Sequence, residues 1–574
     1  MNPEQAPGFG KTTLVSIAGL AMEASFGQVL AAGPSNMAVD NLARRLHRIS
    51  RSVTARYNNG NDENAPRARN KLVVRGYNKG RELSAFWELM KDPEFVPVTF
   101  RKGKNPWKPH LSVACWLMVL LGCQKLGTLD LDDGERLHLL RQEITQRDDL
   151  INLRAVAAGF MPWAAFVDMG GARAFKNGEI EVLMKQIVDA ADILCTTPAQ
   201  AVSEGGLYVN WTKRIAQAVL IDEAANMHRA DLGCIWGNTL RPCVLGGDPR
   251  QFPPTVMTGI SEVDSDHKLR NRLCQDGTIS PLAFLQASGL PVYRLRMQLR
   301  MAEGLFDWVA NEQYPEVNFT YAPSCAVDRP EFEDGRALER MFLERFPAMR
   351  PSPPGKLLPV FVHCENSYVY VDQRSGSKMC RVQVQVGLDI AVDLVARGID
   401  PHHITVLSPY SANVELIGRR RRQPQYMALA TMAPASTVDA FQGQENDIII
   451  VVMGTAFPRP GPGFTADANR LNVLLTRQRC GLVVVGDVNI RKQVEGKDKD
   501  KDKDKADVKG RGKGKGKQRD PNFLVISSTG EKHYMRAPML QHIYRNMVEH
   551  GRVGVWPGWV PGPEGAKRVR RSDV

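Results

Sequence analysis

The 574-residue chain is 43% hydrophobic and 24% charged, the balance of an ordinary folded, water-exposed protein with room for several domain-sized units rather than a fibrous or low-complexity one. Its net charge of +13 favours a polyanionic partner, but Gly496 to Arg519 holds eleven Lys and Arg against five Asp, which leaves only +7 on the remainder. Ten cysteines with no C-x-x-C pair argue against a zinc ribbon or a disulfide framework; the longest strongly apolar run, Leu111 to Cys123, is too short for a bilayer, and no signal pattern opens the chain, so an intracellular protein, cytoplasmic or nuclear and without a membrane partner, is expected.

Near the start, Pro7-Gly8-Phe9-Gly10-Lys11-Thr12-Thr13 is most of a phosphate-binding loop. Glycines at 8 and 10 let backbone N–H groups face phosphate, Lys11 supplies a cation, the Thr12 hydroxyl suits magnesium, and the apolar residues after Thr13 suit the helix such a loop opens. In G-x-x-x-x-G-K-[ST] the leading glycine falls on Gln5, and the four residues before it, Pro3 among them, are too few for a supporting strand. Gln28 to Ala32 reads as a strand running into Gly33-Pro34-Ser35-Asn36, where helix capping alone accounts for the two polar residues. Leu72 to Arg75 is a second strand.

From about residue 83 to 192 the pattern is helical. Leu137, Leu140, Ile144 and Ile151 recur at helical spacing, as do Ile180, Leu183, Met184, Ile187 and Val188, so these are expected to be core stripes of an inserted helical subdomain with no assignable chemistry. The basic patch Arg101 to Lys104 suits either a contact with a phosphate backbone or, the preferred reading, a solvated loop. Ile193 to Thr196 restores the α/β pattern and delivers Thr197 to a loop. Val219-Leu220-Ile221 is then a strand buried on both faces that ends in Asp222 and Glu223; at a strand's C-terminal end an acid pair is placed either for metal-phosphate chemistry or as a solvated acidic turn. Val244-Leu245 brings a third polar turn, Gly246 to Pro254 with Gln251, to the same edge.

GFGKTT, AAGPSNMAVDNLARRL, LVVRGYNKGRE, VLIDEAAN and LGGDPRQFPPTV, in this order, resemble the first motor domain of superfamily 1 helicases, in particular the Upf-like group. Gln298-Leu299-Arg300-Met301, ITVLSPYSANV, STVDAFQGQENDIIIV and ANRLNVLLTRQRCGLVVVGD extend the resemblance through a second motor domain. It implies two RecA-like parallel-sheet P-loop NTPase domains, at 1–284 (helical insertion about 83–192) and 285–495, followed by a Lys/Asp/Gly linker at 496–519 and a tail at 520–574. By the same resemblance ATP and Mg2+ are the cofactors. Gly8, Gly10, Lys11, Thr12 and Thr13 would hold phosphates, Thr12 and Asp222 magnesium, and Glu445 the ribose and phosphate side. Glu223 would polarise the attacking water, Gln251 would sense the γ-phosphate, and Arg300 and Arg477 would act as cationic fingers of the kind that supplies about 10³- to 10⁵-fold in rate. Single-stranded RNA or DNA would meet Pro34, Ser35, Asn36, Thr197, Tyr410 and Thr437 through sequence-tolerant phosphate contacts, although for Tyr410 a packed strand-end aromatic is an equal alternative.

Two departures qualify the expectation. Leu299 stands where the family places an aromatic against adenine, and the family's adenine-reading segment and first sheet strand lie upstream of the loop, so the sequence is expected to be an N-terminally truncated reading or a degenerate motor. The function implied is an ATP-dependent helicase or translocase; the rival is a catalytically impaired helicase-like nucleic-acid-binding or scaffolding protein. An unrelated P-loop switch or kinase does not account for Arg300 and Arg477 on a second α/β domain. Beyond the linker, Phe523 to Ile526, a helix from Met539 to His550 and a basic cluster, Lys567 to Arg571, are the features of the tail.

Overall fold

The computed structural model describes residues 2–4, 8–60, 66–94, 110–171, 175, 177–237, 239–257, 270–372, 375–457, 459–491, 522–526 and 532–556. The basic patch at 101–104, the Lys/Asp/Gly run at 496–519 and the cluster at 567–571 lie outside these residues. The chain forms two compact units, the first comprising Met1–Gln5 and Gly10–Leu295, the second Ala6–Phe9 and Arg296–Val574. Among the described residues no helix is long and apolar enough to cross a membrane.

The first unit is built on a five-stranded, all-parallel sheet of β2 (Val29–Ala32), β3 (Val73–Arg75), β4 (Ile193–Thr196), β5 (Ala218–Ile221) and β6 (Cys243–Leu245), in the order β3-β4-β2-β5-β6. Strand side chains alternate between faces, and each face has its own core. Val29, Ala31, Ile193, Cys195, Ala218 and Leu220 pack with Val15 and Met22 of α1 (Lys11–Phe26) and with Val39, Leu42, Ala43 and Leu46 of α2 (Asn36–Gly60), a helical i, i+3, i+4, i+7 stripe. Leu30, Leu194, Val219 and Ile221 pack with Phe86 of α3 (Lys79–Lys91), Leu117 of α4 (Val113–Leu121) and Ile187 of the helix Asn177–Ala190. The helical stretch expected as an inserted subdomain thus supplies the layer that covers one face of the sheet. Most of its predicted stripes are buried, but Ile151 is 57% exposed. The reason is local: α5 (Glu135–Gln146) stops at Arg147, and Ile151 begins a new helix whose phase is reset.

A second correction concerns the start. Asn2–Glu4 does form a strand, β1, despite Pro3, but it pairs in parallel with β7 (Val292–Arg294) outside the five-stranded sheet. A three-residue pairing of two strands leaves both at an edge, where a missing N–H is tolerated.

The second unit holds a six-stranded parallel sheet. β8 (Met297–Gln298) and β9 (Thr320–Tyr321) pair beside it, as do β11 (Tyr370–Val371) and β12 (Lys378–Met379). The sheet proper runs β14 (Ser436–Thr437), β13 (Ile404–Ser408), β15 (Asn446–Val452), β16 (Gln478–Gly486), β10 (Val360–Cys364) and β19 (Val553–Trp556). β10, β13, β15 and β16 are near-continuous apolar runs buried on both faces. Asn522–Ile526 (β17) and Lys532–Arg536 (β18) form an antiparallel pair. The segment beyond them belongs to this unit's core: the helix Pro538–Glu549 buries Leu540, Ile543, Tyr544 and Met547, and β19 pairs with β10 from Phe361 to Cys364. Phe9 also packs here, with its ring 5.7 Å from Phe306 and 5.9 Å from Phe319. Both units have the parallel α/β architecture the sequence implies.

Candidate nucleotide site and strand-end residues

In an open parallel sheet the C-terminal strand ends share one edge, and that edge is where ligands bind. In the first unit it collects the ends of β2, β4, β5 and β6. The β5 run is buried on both faces, so its continuation is fixed: Asp222 is 1% exposed and accepts the Thr12 hydroxyl at Oδ2 over 2.8 Å, while Oδ1 accepts the Glu223 N–H at 3.0 Å. Burial first, and the neighbouring Glu223 charge second, hold the Asp222 carboxyl above the usual carboxylate range. Glu223 follows with φ 55°, left-handed backbone that a glutamate rarely adopts. Such strain persists only where the surroundings over-determine it; here the flanking backbone is pinned by Ala224 N–H to Gly246 O at 2.8 Å and Gly246 N–H to Ile221 O at 2.7 Å.

Gly10, also left-handed at φ 77°, opens α1, and no side chain caps the helix there. The first turn of this 16-residue helix carries N–H groups of the kind that suit a phosphate. Lys11, Thr12 and Thr13 are all partly exposed on that turn. Gly8 is likewise left-handed, at φ 85°, and belongs to the second unit, where its carbonyl accepts from Leu299 N–H at 2.9 Å; a Cβ at Gly8 would come within 2.0 Å of Gln298 Oε1. At the β6 end Asp248, 1% exposed, accepts the Gln251 side-chain N–H at 2.7 Å and the Arg250 backbone N–H at 3.1 Å, so Gln251 is a buried amide held in one orientation.

The oxygen set of Thr12 and Asp222, a hard donor pair beside uncapped amides and a lysine, fits a divalent cation of the magnesium kind and a phosphate chain.

Ser35 and Asn36 are exposed at the β2 end. Ser35 Oγ accepts the Ala38 N–H at 3.2 Å, the capping role open from sequence. Asn36 Oδ1 accepts from Arg75 Nη2 at 2.8 Å, Pro34 is partly buried, and Thr197 precedes a four-residue helical turn.

The second unit divides its predicted residues between two edges of the sheet. Arg300, Glu445 and Arg477 gather at the N-terminal ends of β15 and β16: Arg300 Nε lies 2.5 Å from Glu445 Oε2, and its Nη1 donates to Thr476 O at 3.3 Å. Arg477 is 3% exposed and donates from Nε to Val473 O at 2.9 Å. Leu299 is 49% exposed. Tyr410 and Thr437 are at the opposite, C-terminal edge. Thr437 is partly exposed, whereas Tyr410 is 2% exposed, stacked 5.5 Å from Phe464, and accepts the Phe464 N–H at 3.2 Å. That is the packed strand-end aromatic left open by the sequence, and its ring is covered.

Sequence reasoning passed over the network behind Asn36. Arg75, 2% exposed at the end of β3, pairs with Asp40 at 2.7 Å, and Glu82, fully buried, accepts N–H groups from Tyr77 and Ala114, each at 3.0 Å. The signal was present as a charge ending an otherwise apolar strand. Burial pushes the Glu82 carboxyl up to about 7. A raised folded-state value means that Glu82 contributes stability in full below its unfolded range, near 4.5, and that this is lost as pH rises through about 7. Urea unfolding of the whole chain is expected to show a downward slope in stability between pH 4.5 and 7 that is shallower in Glu82→Gln; identical slopes would refute the assignment.

A family model described as an AAA domain matches residues 278–489. The chain is 24% identical over 498 residues to Regulator of nonsense transcripts 1 of Caenorhabditis elegans, covering 84% of this chain and 36% of that protein. It is 30% identical over 321 residues to the Regulator of nonsense transcripts 1 homolog of Drosophila melanogaster, with 53% and 23% covered. It is 25% identical over 328 residues to Helicase sen1 of Schizosaccharomyces pombe, with 55% and 17% covered. The chain thus spans about a third or less of the length of these relatives.

Proposed function

We propose, on the premise that the chain belongs to the Upf-like group of superfamily 1 helicases, that it hydrolyses ATP and couples hydrolysis to movement along single-stranded RNA or DNA. The observation that carries this reading is the 2.8 Å meeting of the Thr12 hydroxyl with the buried Asp222 carboxylate at the foot of an uncapped helix. Thr12 and Asp222 would hold Mg2+, with Lys11 and the first-turn amides of α1 on the terminal phosphates. The bound metal would draw charge from the phosphate oxygens as it disperses over them.

In this reading Glu223 takes the proton of the attacking water, its fixed backbone setting where the side chain departs beside Asp222. Gln251, oriented by Asp248, holds that water in line. Arg300 and Arg477 supply positive charge to the transition state; Glu445, now bound to Arg300, would release or share it when nucleotide binds. Pro34, Ser35, Asn36, Thr197 and Thr437 meet the nucleic-acid backbone. Tyr410, expected either to contact the phosphate backbone or to pack at the strand end, is left out of this set because its ring is packed and its hydroxyl is engaged with Pro462 and Phe464. The division into two motor domains belongs to the same proposal with its expected bounds, 1–284 and 285–495, corrected: the compact units part between Leu295 and Arg296, and the helix Pro538–Glu549 and β19, expected as a tail, complete the second.

A second reading, a nucleic-acid-binding scaffold without hydrolysis, draws on the exposed aliphatic Leu299 where an aromatic base platform would serve adenine. The two part on one measurement. ATPase activity of the full chain is expected to rise at least about tenfold, a gain of roughly 1.4 kcal/mol in the barrier, on adding single-stranded oligonucleotide. Equal rates with and without it favour the scaffold.

A further inference from the structure

At the end of β3, where an apolar side chain would fill the same space, the sequence places a guanidinium. Arg75 is 2% exposed, yet each of its nitrogens has an acceptor: Nε donates to Asp40 Oδ1 at 2.7 Å, Nη1 to Gly76 O at 2.6 Å, and Nη2 to Asn36 Oδ1 at 2.8 Å. Its plane lies 3.8 Å from the centre of the Tyr77 ring, and the Tyr77 hydroxyl donates to the same Asp40 oxygen at 2.8 Å. A buried guanidinium–carboxylate pair adds little net stability over an apolar residue of the same volume, so packing alone does not account for it. What the arrangement does is hold an exposed neighbour.

Asn36 is the first residue of α2, exposed at the strand-end edge. An asparagine amide can present either end to solvent. A guanidinium has only donors, so Nη2 selects the Asn36 carbonyl oxygen and turns the NH₂ group, itself a donor, to the other side. Phosphate offers only acceptors, and a pre-aimed donor meets it without first losing rotamer freedom. Gly76 O, which accepts from Arg75, also accepts the Thr196 hydroxyl at 2.7 Å, so the same cation braces the strand that leads to Thr197.

We infer that Arg75 is a positioning residue for single-stranded nucleic acid, acting through Asn36 by locking its amide with the NH₂ group toward the phosphate backbone. Arg75 itself does not touch the strand. This rests on the reading above that Pro34–Asn36 meets nucleic acid, and it adds a residue in β3 that sets the donor pattern of that edge without being part of it.

The test is a double-mutant cycle on the full chain, with fluorescence anisotropy of a labelled single-stranded RNA 20-mer as the probe. Arg75→Lys and Asn36→Ala are each expected to raise Kd about tenfold, the upper range for one lost hydrogen bond. The double variant is expected to match either single within twofold, because both remove one interaction. In ATPase assays Arg75→Lys should raise the half-stimulating RNA concentration by the same factor and leave the saturated rate in place, a split that loosened folding would not give. Multiplicative losses in the double variant, or an unchanged Kd in Arg75→Lys, overturn the inference while leaving the functional reading intact. No binding by the unaltered chain overturns that reading and the inference with it. If Arg75→Lys does not fold, Tyr77→Phe, which removes the second donor on Asp40 and keeps the ring under the guanidinium, should raise Kd two- to fivefold, and an unchanged value overturns the inference.

Discussion

Glu223→Gln is expected to lower nucleic-acid-stimulated ATP hydrolysis by about 10²- to 10⁴-fold, the usual contribution of a positioned general base, while nucleotide binding survives. The separation follows from the geometry. Thr12 and Asp222 meet without help from the Glu223 side chain; only the Glu223 N–H is used, on Asp222 Oδ1, and the backbone N–H is kept in the variant. Lys11→Ala acts earlier, removing the cation beside the uncapped amides, so it should weaken binding as well as rate. Isothermal titration with ATP and Mg2+ beside a phosphate-release assay tells the two apart. A Glu223→Gln enzyme retaining more than a tenth of the rate would remove Glu223 from the chemistry. The left-handed backbone adds an internal control. Asparagine tolerates φ 55° better than glutamate, so Glu223→Asn should be inactive yet melt no lower than the unaltered chain.

The other large effect is on stability. Arg552 is fully buried and grips Glu339 with two nitrogens, at 2.9 and 2.6 Å, while donating to Arg350 O at 2.7 Å and Leu358 O at 3.2 Å. Its position immediately before β19 makes it the bolt between the last strand and the helix Glu333–Arg345. Arg552→Met takes the counter-charge from Glu339, leaving it the Ser352 N–H at 2.8 Å, and removes a donor from the carbonyls of Arg350, Leu358 and Pro359; removing one partner of such a pair costs about 3–5 kcal/mol. Amide exchange at Val360–Cys364, which pairs with β19, should accelerate by about 10²- to 10⁴-fold if opening follows that loss. Pairing Arg552→Met with Glu339→Leu should recover much of it. Exchange unchanged within threefold in the single variant would mean that β19 is an ornament on the sheet.

The strands that carry the candidate site were legible because parallel strands buried on both faces read as apolar runs, and the residue after each run falls at a ligand-facing edge. Ala218–Ile221 and Ile193–Thr196 follow this rule, and Asp222 meets Thr12 although 210 residues separate them. What was not legible depended on long-range partners. A charge at the end of LVVR gives no hint that it will find Asp40 and Asn36. The helices between about residues 83 and 192 read as an inserted subdomain because periodicity reports that a face is buried, not against what. Tyr410 was ambiguous for the same reason: a tyrosine after a strand is equally suited to a phosphate contact through its hydroxyl and to packing against Phe464. The last strand was missed because VGVW is only four residues long and comes after a stretch whose composition looks like an ending.

That late strand has a consequence for synthesis. β16 is complete at Gly486, yet the sheet waits for Trp556, 70 residues later. At translation speeds of about 5–20 residues per second the nascent sheet terminates for roughly 4–14 s on Val360–Cys364, an apolar ribbon with an unsatisfied row of amides and carbonyls. During that interval it is open to the wrong neighbour, including the same ribbon on the next ribosome of a polysome. A factor that holds extended apolar segments during that interval would protect this edge until β19 arrives.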